Sequence, residues 1–155
     1  MQFEFSEEIY APIEHVFATL SRFSEFESQA RQRGVKIQRT DDAATYGVGS
    51  TWDITAKYHG RKRDFTLTLK EFATPQKMRF LTHSPAVESD LTIHLTALAE
   101  DETQVDVDAT LKPKTLAARL MLQSLKLAKG RIRRNLTKRV ATFVREIEGS
   151  YEQQV

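Results

Sequence analysis

At 155 residues, 40% of them apolar, the chain can bury one sizeable core and is short for two domains. Charged residues make up 28% of it and no apolar run exceeds a few residues, which excludes a bilayer-spanning helix of about 20 apolar residues. Cysteine is absent, so disulfides, thiolate metal sites and a cysteine nucleophile are excluded. The acidic start MQFEFSEEIY carries no export signal, which makes the cytoplasm the expected compartment. The net charge of +2 hides an uneven distribution: residues 112–145 hold eleven Lys or Arg and no acid, whereas residues 1–111 hold twelve bases against eighteen acids.

Gln2 to Tyr10 alternates, with Phe3, Phe5 and Ile9 on one side and Glu4, Ser6 and Glu8 on the other, the period of a half-buried strand. Pro12 suits the first position of a helix, where its missing N–H costs nothing, and Glu14 lies where the helix dipole favours an anion. Ile13, Val16, Phe17 and Leu20 follow at helical spacing. A second short helix, capped by Ser21 or Ser24 and turning Phe23 and Phe26 inward, runs to about Arg33, where Gly34 stops it.

From Val35 the period changes to two, which predicts six strands near 35–41, 50–59, 62–73, 77–83, 88–99 and 103–111. Tight links at Tyr58-His59-Gly60-Arg61, Thr74-Pro75-Gln76 and Glu100-Asp101-Glu102 make neighbours antiparallel, because parallel strands need crossovers of about a dozen residues. Alternation is clearest in Phe65-Leu67-Leu69, Leu91-Ile93-Leu95 and Val105-Val107-Ala109-Leu111. From about Pro113 to Glu148 the helical period returns, with Leu122, Leu125, Ile132, Leu136, Val140, Phe143 or Val144, and Ile147 in one stripe. Such a helix would reach about 54 Å against about 33 Å for a ten-residue strand, so a bend is expected near Gly130. Residues 1–150 are expected to form one domain, with 151–155 a short tail.

This order, from Ile9-Tyr10-Ala11-Pro12-Ile13-Glu14-His15-Val16-Phe17 through a strand, Pro turn and strand at Lys70-Glu71-Phe72-Ala73-Thr74-Pro75-Gln76-Lys77-Met78-Arg79-Phe80, to the hairpin at Glu102-Thr103-Gln104-Val105-Asp106-Val107, resembles the SRPBCC superfamily. That superfamily is also called START-like or Bet v 1-like, and the likeness is to its polyketide cyclase/dehydrase group. The resemblance implies an α+β helix-grip fold, a curved antiparallel sheet of about seven strands around a long C-terminal helix, with two short helices after the first strand. It also implies a cavity for a hydrophobic small molecule between helix and sheet, with cyclisation, aromatisation or dehydration in only some members.

Such a cavity would be lined by Trp52, Ile54, Tyr58, Phe65, Leu67, Met78, Phe80, Leu91, Ile93 and Leu95 from the strands and by Met121 and Leu125 from the helix. Trp52 and Tyr58 combine a large ring with one polar tip, which suits both ligand orientation and ordinary core packing. Asp53, Asp64, Asp106 and Asp108 alternate with the buried set and belong to a solvated face. His15 lies on the first helix, His59 in a turn and His94 outward. His83, at a strand end, is the one placed for a general base. There is no HExxH and no acidic calcium loop, and Gly47-Val48-Gly49 leads into a strand, so no metal and no cofactor are expected.

The basic stretch offers Arg131, Arg133, Arg134, Lys138 and Arg139 to phosphates, each cation near an anionic membrane contributing about 1 kcal/mol. No aromatic is interleaved to stack bases, which disfavours nucleic acid. Leu116, Leu120 and Leu127 add apolar surface, and apolar plus basic favours a membrane surface. The competing reading is that the positive helix complements the acidic remainder of the same chain. Three functions therefore stay open: binding or transport of a lipid, isoprenoid or aromatic molecule; a polyketide cyclase or dehydratase using His83 or Tyr58; and interaction of the basic helix with membrane or RNA. The oligomeric state is not specified by the sequence.

Overall fold

The computed structural model describes residues 1–58 and 60–153, and of Tyr58 the backbone alone. In chain order the elements are β1 (Gln2–Ile9), α1 (Ile13–Leu20), α2 (Phe23–Gln32), β2 (Lys36–Arg39), β3 (Thr51–Tyr58), β4 (Arg61–Ala73), β5 (Lys77–His83), β6 (Val87–Ala99), β7 (Glu102–Pro113), α3 (Leu116–Leu127) and α4 (Lys129–Glu152). The strands form one antiparallel sheet in the order β1-β7-β6-β5-β4-β3-β2. Strands β2 to β7 are thus a meander, and the first strand closes it beside the last.

Register turns the alternation of each strand into rows across one face, because paired residues share a side of the pleat. Phe5 stands opposite Val107, Val107 opposite Ile93, Ile93 opposite Met78, and Met78 opposite Phe72. Register shifts between Leu69 and Glu71 and between Ala97 and Ala99 bend the long strands, as bulges do. The densest core lies under α1 and α2, where Val16, Phe17 and Phe23 meet Trp52, Leu69 and Met78.

Local sequence explains the helix ends, with some departures from expectation. Pro12 sits at the N-cap of α1, one residue before the first helical one, and its carbonyl accepts from Val16 N–H at 3.0 Å. Neither Ser21 nor Ser24 caps α2. Its N-cap is Arg22, and the Ser21 hydroxyl instead donates to Phe17 O at 2.6 Å at the end of α1. Gly34, at φ 83°, ends α2 by letting Gly34 N–H reach Arg31 O and Val35 N–H reach Ala30 O, both at 3.0 Å.

The single terminal helix expected from Pro113 is two helices. Pro113 still pairs with Val87 as the last residue of β7, and Thr115 caps α3 by accepting from Ala118 N–H at 3.1 Å. The helical run breaks at Ala128 (φ −92°, ψ 9°), and Gly130 lies inside α4, which continues past Glu148 to Glu152. Residues 116–152 in one straight helix would extend about 55 Å, beyond the roughly 43 Å of a 13-residue strand. The break lets α3 follow β7 while α4 stays on the sheet. The far end of α4 is anchored by fully buried Ile147 and by His15, whose Nε2 lies 2.9 Å from Ser150 Oγ and 3.2 Å from Ile147 O.

Candidate functional site

Between the anchored end of α4 and its start, helix and sheet separate to leave a groove of about 440 Å³. Its floor comes from the inward positions of three adjacent strands: Phe3, Phe5 and Ile9 of β1, Val105, Val107 and Ala109 of β7, and Ile93 of β6. Its roof is the α4 stripe, Ile132, Leu136, Val140, Phe143 and Val144, and Leu20 of α1 closes one end. Glu7 is the one ionisable lining residue. Val107 and Ala109 of β7 contribute short side chains to this floor, which leaves room between sheet and helix.

A second cavity of about 260 Å³ shares Phe3, Phe5, Ile132 and Leu136 with the first and adds Gln2, Glu4, Lys129 and Arg133. The groove therefore continues along the free edge of β1 to a polar mouth. At about 100° per residue, Lys129 and Arg133 fall on the same side of α4 as Ile132, Leu136 and Val140, so both cations face this mouth. Neither forms an ion pair among the described residues.

The residues expected from the sequence to line a cavity are dispersed. Trp52, Ile54, Met78 and Leu95 are buried in the core, and Phe65, Leu67 and Phe80 pack against it. Ile93 lines the groove. Leu91 stands opposite Ala109 in the register and is half-buried, as are Met121 and Leu125 on α3. The side chain of Tyr58 lies outside the described residues, as does His59. The groove residues absent from the expected set are those of β1, β7 and α4, together with Leu20 of α1. They carried a signal in the alternation of Phe3 and Phe5 and in the helical stripe, but their meeting depends on the pairing of the first and last strands.

Trp52 belongs to a different cluster. Its indole N–H donates to Glu27 Oε1 at 2.8 Å, and the Tyr46 hydroxyl donates to the same oxygen at 2.9 Å. The two rings stack with centroids 6.1 Å apart, and the Arg39 guanidinium lies 4.2 Å from the Tyr46 centroid. Burial, and next the Glu27 carboxylate beside it, push the Tyr46 phenol above its ordinary value. Arg39 grips Asp41 through two hydrogen bonds at 2.8 and 2.7 Å. These bonds, and next the Thr51 N–H, hold the Asp41 carboxyl well below the usual carboxylate range. With its oxygens engaged by Trp52 and Tyr46, Glu27 locks α2 onto the sheet.

The remaining candidate acids and bases face outward. His83 is exposed and sits 3.1 Å from Glu88 Oε1 and 3.3 Å from Lys114 Nζ, away from the apolar groove. Asp64 accepts from Thr55 at 2.6 Å and Asp53 from Thr66 at 3.3 Å across the β3–β4 pair. Ser6, and next Gln104, hydrogen-bond Asp106 and lower its pKa. Direct charge complementation of the basic stretch is sparse. Among the described residues, Lys114, bonded to Glu88 at 2.9 Å, is the one cation of residues 112–145 in an ion pair. No helix among the described residues is long and apolar enough to cross a membrane.

Among solved structures, the fold is similar to that of the ZhuI aromatase/cyclase from Streptomyces sp. R1128, with a TM-score of 0.67 at 11% identity over 99% of this chain and 94% of that one. It is similar to a START superfamily protein from Mycobacterium smegmatis, with a TM-score of 0.62 at 18% identity over 99% of both chains. Ara h 8.0201 matches with a TM-score of 0.61 at 14% identity over 99% of this chain and 98% of that one. At these identities the likeness is one of fold. No family model and no curated protein matches the sequence.

Proposed function

We propose that this chain, which has the helix-grip fold of the SRPBCC (START-like, Bet v 1-like) proteins, binds a hydrophobic small molecule between β1, β7 and α4. One observation carries the reading: a groove of about 440 Å³, within the usual range for small-molecule sites, whose walls are apolar apart from Glu7. Removing apolar ligand surface from water there is favourable by about 25 cal/mol per Å², and no wall group except Glu7 has to be desolvated unpaired. The length of the groove along β1 suits an extended chain such as a lipid or isoprenoid. Lys129 and Arg133 at the mouth favour an amphiphile with an anionic end.

Binding or transport is favoured over cyclase or dehydratase chemistry by the same lining. Proton transfer needs an acid or base within hydrogen-bond reach of the reacting atoms, and the apolar groove presents Glu7 alone. The test is native mass spectrometry of the purified chain for a retained apolar ligand, followed by titration with a fluorescent fatty-acid analogue. Ala109→Phe would fill the floor and is expected to weaken binding at least about tenfold, the loss of about 1.4 kcal/mol, while the thermal midpoint is kept. Undiminished binding by a folded Ala109→Phe protein would remove the groove as the site.

A further inference from the structure

Helix α3 carries two apolar faces, and the fold uses one. Ala118 and Leu122 are 3% and 6% exposed. Leu116, Leu120 and Leu127 are 73%, 57% and 92% exposed. Successive helical residues turn by about 100°, so these three leucines lie within about 40° of one another and about 180° from Ala118. They form a ridge pointing directly away from the sheet, and Arg119 and Lys126 flank it on one side. Just past the break at Ala128 follow Lys129, Arg131, Arg133 and Arg134.

We propose that α3 docks on an anionic lipid bilayer, with Leu116, Leu120 and Leu127 in the acyl boundary and Arg119 and Lys126 among the headgroups. Charge complementarity selects this occupant. Residues 112–145 hold eleven cations and no acid, and among the described residues only Lys114 of these is in an ion pair. A second copy seated on the ridge would bring two such cationic helices together. A nucleic acid would engage the cations and leave the leucines in water. An anionic bilayer satisfies both, since apolar side chains enter the interface while each basic residue gains from the negative surface potential. The excess of acids over residues 1–111 orients the chain, because an anionic surface repels that part and attracts α3. Docked in this way, α3 brings the bilayer next to the groove mouth at Lys129 and Arg133.

Cosedimentation of the full chain with vesicles of phosphatidylcholine alone, and of phosphatidylcholine with phosphatidylserine, tests the proposal. Binding is expected to the mixed vesicles and not to the neutral ones. A Leu116→Ser, Leu120→Ser, Leu127→Ser variant alters only exposed side chains and is expected to lose at least about tenfold in binding, through lost interfacial apolar area. An Arg119→Glu, Lys126→Glu variant is expected to lose at least roughly 30-fold, from about 1 kcal/mol per cation removed, with repulsion of the two new carboxylates adding to it. Both should keep their circular-dichroism melting curves and their uptake of the fatty-acid analogue, which separates this proposal from the groove assignment. Undiminished binding by the leucine variant would overturn it. So would dimerisation that the leucine variant abolishes without any vesicle binding, or retention of RNA in place of vesicles.

Discussion

Trp52 hands its indole N–H to Glu27 Oε1 at 2.8 Å, with both side chains buried, so the one tryptophan of the chain reports on the junction of α2 and β3. Glu27→Ala would leave that N–H and the Tyr46 hydroxyl without their acceptor. Each unpaired group costs about 1–3 kcal/mol, so a comparable loss of folding stability is expected, with a smaller one for Glu27→Gln. Urea unfolding followed by Trp52 emission measures it. Affinity for an apolar probe should stay within about twofold, because the cluster does not line the groove.

Groups in this region and elsewhere on the sheet contribute to the response to pH. Arg39 and the Thr51 N–H depress the Asp41 pKa, and Arg79 depresses that of Asp90. A carboxyl depressed in the folded state contributes stability above its unfolded pKa of about 3.9 and loses it as pH falls through the folded value. Stability should therefore decline in acid, and Asp41→Asn should flatten that decline. Tyr46 has the opposite sign. Its raised pKa leaves its contribution complete below an unfolded value of about 10 and removes it as pH rises through the folded one. Tyr46→Phe should remove that part of the alkaline loss. Unfolding free energies across pH for the two variants and the parent decide both.

The strands were legible because their core positions alternate over long stretches between the bulges. Phe65-Leu67-Leu69 and Leu91-Ile93-Leu95 face inward as their period implies. The groove was harder to read, since Phe5 and Val107 face one another across about a hundred residues, a relationship set by strand order and invisible to local periodicity. Where the sequence suggested a cavity, Trp52 and Met78 are buried in the core that α1, α2 and the end of α4 pack against. Glu27 did leave a sign. It sits four residues after Phe23, so a carboxylate stood on the buried face of an amphipathic helix, where an unpaired charge could not remain.

The groove mouth predicts ligand selectivity. Replacing Lys129 and Arg133 with Gln keeps a polar, hydrogen-bonding side chain at both positions, somewhat shorter, and removes two cations from beside Phe3 and Ile132. A charge-assisted hydrogen bond contributes about 1.5–3 kcal/mol, so the double variant should bind a fatty-acid anion at least about tenfold more weakly. Affinity for the matching alcohol should be unchanged. Calorimetric titration with the two ligands, at low and high salt, measures the difference. Equal losses for both would mean that the mouth does not read charge.

Glycine near the middle of the terminal helices suggests a bend near Gly130, and the backbone breaks two residues before it, at Ala128, while Gly130 itself is an ordinary helical residue of α4. A methyl group built at Gly130 meets no atom within 4 Å beyond its chain neighbours and the local helix backbone. Gly130→Ala should therefore stabilise the fold by about 0.5–1 kcal/mol, because alanine has less backbone freedom to lose. For a chain of this size that raises the thermal midpoint by about 1–4 °C. Affinity in the groove should be unaffected, since the substitution adds rigidity inside α4 and leaves the Ala128 break untouched. A fall in midpoint, or a change in probe binding, would mean that the chain bends at Gly130 when it takes up ligand.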